Sequence, residues 1–384
     1  MNNHYDYIIS GAGCAGLSLL QRILLQPALS SKKILVIDEK PKIINDRTWC
    51  FWEKENGLFE DIVHHSYDEI AFASNFFSNR IPLNNYRYKM IQGIDFYNAV
   101  MQYAKGFANV EFKYEKVKKL TTENQLAIVE TENNTYKANY IFNSILFPGT
   151  INTSSNKTYF LLQHFKGWVI ETPNAQFNPS VATLMDFTVA QKEGTTFMYT
   201  MPTSTTTALV EYTLFTKDLL QPIEYENALK KYIEEDLKIS NYTIQHEEFG
   251  IIPMTNHPFP LHEGRVVNLG IAGGQAKGSS GYAFQFIQKR TKKIVANLIS
   301  KNHPFYNQSF SDKKFRFFDS VLLQVLHDKK MNGDEIFADI FKKNAIKTVL
   351  RFLDNESNLL EDLKIMSSVP MKIFLPAALK QIFK

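Results

Sequence analysis

The fold is decided near the start of the chain by YDYIISGAGCAGLSLLQRILL, residues 5–25, and by the ILVID run that follows it. Tyr5–Ser10 predicts a short buried strand, and Leu17–Leu25 predicts an apolar helix that packs against it. Gly11–Gly16 forms a tight glycine turn between them, and Lys33–Asp38 predicts a second strand that ends on an acid. This order is typical of a βαβ unit with parallel strands.

The glycines of the turn have the spacing G-x-G-x-x-G, at Gly11, Gly13 and Gly16. The first glycine permits the sharp turn, the second lets a pyrophosphate approach the backbone, and the third lets the helix pack close to the strand. Asp38 lies 22 residues after Gly16, where an acid can bind ribose hydroxyls. We therefore predict a dinucleotide site; the alternative is a tight strand-to-helix turn that binds no ligand.

A second glycine-rich segment, NLGIAGGQAKGSSGYAFQ at residues 268–285, again lies between a predicted strand and a predicted helix. An NAD dehydrogenase would continue with a regular α/β sheet, whereas here a β-rich stretch intervenes and the glycines return about 250 residues later, as in two-part FAD folds. Ile271 occupies the position where many FAD enzymes have an Asp. We predict FAD as the cofactor, with further contacts from Gly270, Gly273, Gly274 and Gly281.

Between the two glycine-rich segments the sequence has the pattern of an antiparallel sheet. The runs LLQHFKGWVIE, ATLMDFTV, TTFMYTM and TTALVEYTLF are separated by polar turns, and Ile223–Leu237 predicts a helix. A further helix is predicted over Tyr282–Ser300. The predicted fold class is α/β with an α+β insert: a two-part Rossmann-like FAD-binding domain (1–150 and 245–310), an antiparallel-sheet substrate domain (151–244) and a helical C-terminal region (311–384).

Composition limits the partners of the chain. The net charge is only +4 and the basic residues are scattered, so we expect no nucleic-acid surface. Cys14 and Cys50 form no disulfide framework, and we expect no metal because the histidines lack metal-ligand spacing, including His64, His65 and His164. Without a signal peptide or a spanning apolar run, we expect a cytoplasmic protein, peripheral at the inner face of the cell membrane.

Six longer segments occur in one order along nearly the whole chain: DEKPKIINDRTWCFW (38–52), QHFKGW (163–168), MDFTVAQKEGTTFMYTMPTSTTTALVEYT (185–213), GIIPMT (250–255), GIAGGQAKGSSGYAF (270–284) and FLDNESNLLEDLKIMSSVP (352–370). Together they resemble the flavoprotein lycopene cyclase family of bacteria and plants. The resemblance implies closure of the ψ-ends of lycopene, or of other acyclic carotenoids, into β-rings without net redox change. It also implies that reduced FAD is the active cofactor and that NAD(P)H is its reductant.

The acidic motif of this family falls on LVEYT, residues 209–213. The first acid is kept as Glu211, whereas Tyr212 replaces the second, so the resemblance supports a mechanism with one acid. Strand alternation places Leu209, Glu211 and Thr213 on one face, where apolar neighbours would raise the pKa of the carboxyl into a range useful for proton transfer. The alternative, which the pattern alone favours, is a glutamate that faces solvent.

Aromatic side chains near these motifs can stabilise a carbocation by about 0.5–2 kcal/mol each through their π faces. The candidates are Trp49, Phe51, Trp52, Trp168, Phe197 and Tyr199, and core packing is the alternative for each of them. Arg47 is a candidate for binding the flavin or its phosphates, or else a structural ion-pair partner. Cys14, at a helix N-terminus that can lower a thiol pKa, is interpreted as a small packing residue.

The C-terminal run MKIFLPAALKQIFK, residues 371–384, combines apolar side chains with Lys372, Lys380 and Lys384. It predicts either an amphipathic anchor at a membrane surface or a final helix docked on the core.

Two other functional classes are compatible with the sequence: a redox flavoenzyme, such as a hydroxylase or prenyl reductase acting on an isoprenoid, and a carotenoid-binding flavoprotein without catalysis. The sequence does not distinguish one-ended from two-ended cyclisation, or a β-ring from an ε-ring.

Overall fold

The computed structural model describes residues 4–153, 157–192 and 194–383. Its first elements are strand β1 (His4–Ser10), helix α1 (Cys14–Leu24) and strand β2 (Ile34–Asp38), and the two strands pair in parallel. The predicted βαβ unit is therefore confirmed. The helix begins at Cys14 rather than Leu17 because Gly13 already serves as its N-cap, so that the last glycine of the turn lies within the first helical turn.

The chain then adds short strands and one helix before it returns to the first sheet. These elements are β3 (Thr48–Glu53), β4 (His65–Tyr67), β5 (Glu69–Ala73), β6 (Ser78–Pro82), β7 (Arg87–Gln92), α2 (Gly93–Ala104), β8 (Val110–Tyr114), β9 (Val117–Glu123), β10 (Leu126–Thr131) and β11 (Thr135–Asn143). Strands β3, β7 and β4 form a small separate sheet in that spatial order.

Longer strands follow, and helices make up most of the last hundred residues. The strands are β12 (Phe160–Glu171), β13 (Val181–Asp186), β14 (Thr195–Pro202), β15 (Thr207–Thr216), β16 (Thr243–Thr255), β17 (His262–Glu263) and β18 (Val266–Asn268). The helices are α3 (Pro222–Lys231), α4 (Phe284–Lys301), α5 (Phe310–His327), α6 (Gly333–Lys343), α7 (Ile346–Leu353), α8 (Leu359–Ser368) and α9 (Met371–Ile382).

The first sheet has the strand order β17-β18-β11-β1-β2-β8, and the β9–β10 hairpin is attached beside β11. Strands β18, β11, β1, β2 and β8 are parallel to one another. Helices α1, α2 and α4 contribute to one core with this sheet, in which Leu17, Leu20 and Ile294 are fully buried. The carboxyl ends of parallel strands are where such sheets bind ligands, and the glycine turn follows β1 at that edge.

The second sheet has the order β16-β12-β15-β14-β13-β5-β6. Its strands from β16 to β13 are antiparallel, whereas β13 and β5 run parallel. The sheet thus extends beyond the residues 151–244 that the sequence predicted for it, since β5 and β6 come from before them and β16 runs to Thr255. Pairings between strands so distant in the chain leave no local pattern in the sequence.

The C-terminal helices pack on the second sheet and complete its core. The ring of Phe337 in α6 stacks on Phe187 with centroids 5.8 Å apart, and Phe341 stacks on Phe72 at 4.5 Å. These rings belong to one buried cluster that joins the sheet to helices α5–α9. Much of the aromatic content of the chain is therefore core packing, and the helical region predicted from residue 311 is confirmed.

Three further element boundaries differ from the sequence predictions. The helix predicted over Ile223–Leu237 is α3 followed by a π-helical turn, Tyr232–Asp236. The strand predicted over residues 266–272 ends at Asn268, because Gly270 has a φ of +55° and turns the backbone into a short 3₁₀ segment. Helix α4 starts at Phe284 rather than Tyr282 for a related reason, since Gly281 has a φ of +71°.

Candidate active site

The glycine turn after β1 has the geometry that its spacing predicts. Gly11 has a φ of +99°, and a Cβ at Gly16 would overlap the carbonyl oxygen of Gly11. A Cβ at Gly13, by contrast, would meet no atom within 4 Å. Two of the three glycines are therefore required by the fold of the turn itself, whereas Gly13 leaves free space beside the backbone.

The N-terminus of α1 and Asp38 lie on either side of this space. No described side chain caps α1, and no acid lies in its first turn, so its positive end is available to an anion. The backbone N–H of Ala12 donates to Asp38 Oδ2 at 2.7 Å, and Lys42 Nζ lies 3.3 Å from Asp38 Oδ1. The acid at the end of β2 is thus fixed beside the turn.

A cavity of about 440 Å³ extends from the glycine turn to the second sheet. Gly11, Gly13 and Asp38 line one end of it, and Leu209 and Glu211 of β15 line the other. Between these ends the wall includes Arg47, Thr48, Trp49, Cys50, Gln163, Phe165, Ser280 and Tyr282. One continuous space therefore connects the predicted dinucleotide site with the acidic motif.

The second glycine-rich loop forms a wall of this cavity, but its glycines are divided between two sides. Gly270 and Gly281 line the cavity, and a Cβ at Gly270 would lie 3.0 Å from Ala15 Cβ, so the two glycine-rich loops approach each other closely. Gly273 and Gly274 instead line a second cavity on the far side of the loop. The structure therefore does not place them with the other predicted contacts, because the 3₁₀ turn rotates them outward.

At the opposite end of the cavity, four strands of the second sheet place their residues in one row. Gly167 of β12 pairs with Glu211 of β15 on one side and with Glu248 of β16 on the other, and Glu211 also pairs with Tyr199 of β14. Directly paired residues share one face of a sheet, so both carboxyl groups point into the cavity. The side chain of Thr213 donates to Glu211 Oε1 at 2.7 Å, on the face predicted by strand alternation.

Glu248 is a candidate site residue that the sequence did not reveal. It is buried, lines the cavity, and accepts a hydrogen bond from Thr48 Oγ1 at 2.8 Å. It lies 37 positions after Glu211 in the chain, within a polar run, HEEFG, that gives no sign of burial. The LVEYT motif has Tyr212 where a second acid would follow Glu211. In the folded structure the carboxylate of Glu248, from another strand, lies in the same row as Glu211.

The surroundings of the two carboxyl groups raise both pKa values, and the contact between the groups affects the two pKa values in opposite directions. Burial raises the pKa of Glu211 well above its usual range, and the neighbouring Glu248 raises it further. Burial also raises the pKa of Glu248, although the hydroxyl of Thr48, the neighbouring His246 and Glu211, and the positive charge of Arg47 counteract part of that rise. The site can therefore hold a carboxylic acid at neutral pH.

Of the six aromatic candidates, Trp49 and Tyr199 line the cavity. The other four pack elsewhere. Phe51 stacks on Phe284 at 4.2 Å, Trp52 meets Tyr282 edge-on at 4.8 Å, and Trp168 and Phe197 belong to buried clusters of the second sheet. The cavity wall contains aromatic side chains that the sequence did not single out: Phe165, Tyr88, Tyr97, Tyr282 and Phe284.

The remaining candidates are resolved as follows. Arg47 lines the cavity near Glu248. Burial raises the pKa of the Cys14 thiol to about 12, which agrees with its interpretation as a packing residue. His164 is buried between Thr216 and the hydroxyl of Tyr225.

Within the described ranges no group of three or more His, Cys, Asp or Glu side chains could hold a metal ion. No described helix combines the length and apolarity required to cross a bilayer. Lys384, part of the predicted C-terminal anchor, lies outside the described residues.

Solved structures share this fold at low sequence identity. A flavoprotein/dehydrogenase from Cytophaga hutchinsonii matches with a TM-score of 0.64 at 11% identity, over 99% of each chain. A geranylgeranyl bacteriochlorophyll reductase-like protein from Thermoplasma acidophilum gives 0.62 at 12%, over 99% of this chain and 98% of that one. The p-nitrophenol 4-monooxygenase PnpA from Pseudomonas putida DLL-E4 gives 0.58 at 11%, over 99% and 98%.

These similarities agree with the predicted two-domain FAD-binding fold. No curated protein sequence matches the chain. The sequence profile of the family described as "Lycopene cyclase protein" matches residues 6–378, nearly the whole length. The chain therefore belongs to the lycopene cyclase protein family.

Proposed function

We propose that this protein is a FAD-dependent lycopene β-cyclase, an intramolecular lyase that closes the ψ-ends of lycopene into β-rings on the way to β-carotene. The observation that carries the proposal is the position of Glu211: a carboxyl group with a raised pKa lies at one end of a cavity whose other end is a dinucleotide-type glycine turn. Membership of the lycopene cyclase family supports the substrate class.

The residues of the cavity fit FAD. The open space at Gly13 and the uncapped N-terminus of α1 suit a pyrophosphate, and Asp38 suits a ribose. Gln163 Oε1 and Ser280 Oγ line the cavity, are buried, and have no hydrogen-bond partner among the described residues, so both are available to a polar ring edge. A reduced flavin held by these residues, for which NAD(P)H would be the reductant, would supply an electron-rich ring to the cavity.

Glu211 is proposed as the acid and base of the cyclisation. Its raised pKa keeps it protonated at neutral pH, so it can donate a proton to the terminal alkene of lycopene. The neighbouring double bond then attacks the resulting tertiary cation, and loss of a proton from the adjacent ring carbon leaves the β-ring. One proton enters and one leaves, and no electrons are transferred to or from the hydrocarbon.

The cavity wall suits a short-lived carbocation. Trp49, Tyr88 and Tyr199 present aromatic rings, and each can contribute about 0.5–2 kcal/mol of cation–π stabilisation. Burial also excludes the water that would otherwise trap the cation.

We propose that the protein takes its hydrocarbon substrate from a membrane surface through helices α8 and α9. Helix α9 docks on α5, where Ala377 is buried and Gln381 Nε2 donates to Gln324 Oε1. The two helices together still expose a row of large apolar side chains: Leu359, Leu360, Leu363, Met371, Leu375, Leu379, Ile382 and Phe383. Helix α9 can therefore pack on α5 with one side and contact a membrane surface with its exposed apolar side.

The direct test is expression of the chain in a bacterium that accumulates lycopene, followed by chromatographic separation of the pigments. We expect monocyclic or bicyclic β-ring products. NADPH consumption in proportion to product would indicate a redox flavoenzyme instead, and lycopene binding without ring formation would indicate a carrier. Unchanged lycopene in the presence of folded, flavin-loaded protein would refute the cyclase assignment.

A further inference from the structure

We infer that Glu211 and Glu248 hold a single proton between them and act as one acid–base unit, with Gly167 as the residue that brings them together. The reaction that the unit serves rests on the proposed function, whereas the shared proton is a property of the protein alone.

The sheet register makes the contact possible. Gly167 lies between the two glutamates in the same row, so no side chain stands between them at that position. A Cβ at Gly167 would lie 3.1 Å from Glu248 Cγ and 2.9 Å from Leu209 Cδ1. A side chain at position 167 would therefore displace Glu248 or Leu209.

The hydrogen bonding of the pair requires a proton. The two carboxyl groups interact closely enough to affect each other's pKa, and a hydrogen bond between two carboxyls can form only if one of them is protonated. The other carboxyl oxygens accept from hydroxyls: Glu211 Oε1 from Thr213, and Glu248 Oε2 from Thr48. A single proton, shared between the two carboxyl groups, is thus enough for this set of hydrogen bonds.

The charges around the pair also favour one proton rather than none. The titratable groups that face it are Arg47 from the loop before β3, Cys50 from β3, Tyr199 from β14, His246 from β16 and, behind Tyr199, Tyr282 from the loop before α4. The guanidinium of Arg47 acts on the pair and can balance a single carboxylate. Two ionised carboxylates in contact would repel each other within a buried site.

This arrangement gives Glu248 a role in the proposed reaction as a positioning residue that acts through Glu211. When the pair gives its proton to the alkene, a carbon–hydrogen bond forms and both carboxylates become negative opposite the carbocation. Their mutual repulsion then favours return of a proton from the ring carbon, which restores the pair. The same electrostatics stabilise the cation and recover the acid.

The experiment compares Glu248→Gln with Glu247→Gln, a matched control at the adjacent, exposed position on the other face of β16. Infrared spectroscopy of the flavin-loaded protein, without substrate, follows the carboxylic C=O band as the pH is raised. In Glu248→Gln we expect the band of Glu211 to disappear at least about one pH unit lower than in the wild type. Glu247→Gln should titrate as the wild type does.

Three outcomes would overturn the inference. The first is identical titration of Glu248→Gln and the wild type. The second is a wild-type band near neutral pH that exceeds the band of the Glu211→Gln Glu248→Gln double variant by zero or two carboxylic acids, a difference that removes the contribution of other buried carboxyls such as Asp354. The third concerns Gly167→Ala, where the added methyl should separate the carboxyls and shift the titration in the direction of Glu248→Gln; an unchanged titration would contradict the spacing role.

The pH profile of cyclisation separates this inference from the proposed function. For Glu248→Gln we expect at least about a tenfold lower rate at the wild-type optimum and a recovery at lower pH, whereas a purely structural defect would lower the rate at every pH. A shared proton in a protein that forms no rings would defeat the cyclase assignment alone. Rings formed by a protein whose carboxyls titrate independently would defeat the shared proton alone.

Discussion

Gly16 packs so closely against Gly11 that a Cβ at position 16 would overlap the carbonyl oxygen of Gly11, whereas a Cβ at Gly13 would meet no atom within 4 Å. The three glycines of one motif thus serve two purposes. Gly11 and Gly16 form the turn, and Gly13 keeps clear the space that a cofactor phosphate would occupy.

This difference predicts opposite effects of two similar substitutions. Gly13→Ala should leave the free energy of unfolding of the flavin-free protein nearly unchanged, yet weaken FAD binding at least about tenfold, because the methyl group enters the phosphate position. Gly16→Ala should instead reduce folding itself. Fluorescence titration with FAD and urea unfolding measure the two effects. Wild-type FAD affinity in Gly13→Ala would show that the phosphates do not bind at this turn.

Glu211→Gln should keep FAD and lose cyclisation. The amide preserves the size of the side chain but cannot donate a carboxylic proton, so we expect a rate at least about 100-fold lower. Flavin absorbance of the purified variant and pigment analysis measure the two properties. Glu247→Gln, which changes an exposed acid on β16, two strands away in the same sheet, is the control and should cyclise normally. Full activity of Glu211→Gln would exclude Glu211 as the acid.

The raised pKa of Glu211 predicts a dependence of stability on pH. A carboxyl whose pKa is higher in the folded state binds more protons there than in the unfolded chain, so its contribution is complete below its ordinary pKa and is lost as the pH rises through the raised value. The loss is about 1.4 kcal/mol for each unit of pKa elevation.

Urea unfolding between weakly acidic and alkaline pH tests this dependence. The wild type should lose more stability over that range than Glu211→Gln, which has no proton to release at this position. Parallel stability curves for the two proteins would mean that Glu211 is ionised in the folded state throughout.

The exposed apolar row on α8 and α9 predicts binding to phospholipid vesicles. Leu379→Asp combined with Phe383→Asp should weaken binding to anionic vesicles at least about tenfold, because each apolar side chain transferred from water contributes about 1.5–3 kcal/mol. Ile223→Asp, at an exposed apolar position on α3, is the matched control and should bind as the wild type does. Equal flotation of all three proteins with vesicles would place the membrane contact elsewhere.

Secondary structure and the first half of the candidate site could be predicted because their signals are local. The G-x-G-x-x-G spacing, the apolar strands around it and the acid at Asp38 lie within one βαβ unit, and the parity of β15 directs Glu211 to one face. Boundaries were less accurate where glycine backbones at Gly270 and Gly281 ended a regular element early.

Tertiary structure alone decided the second half of the site. Glu248 joins Glu211 because β16 pairs with β12 across Gly167, and no feature of the HEEFG run indicates that partner. The tertiary structure also placed Gly273 and Gly274 beside a different cavity from Gly270. It placed Trp52 and Phe197 in the core rather than in the cavity wall.

The sequence by itself therefore determined the type of cofactor turn, the class of fold and one acid, since each depends on neighbours within a few residues. Which side chains lie side by side on the cavity wall was decided by strand register, because residues from distant segments meet only when the sheet forms. Two carboxyl groups far apart in the chain became a pair for that reason alone.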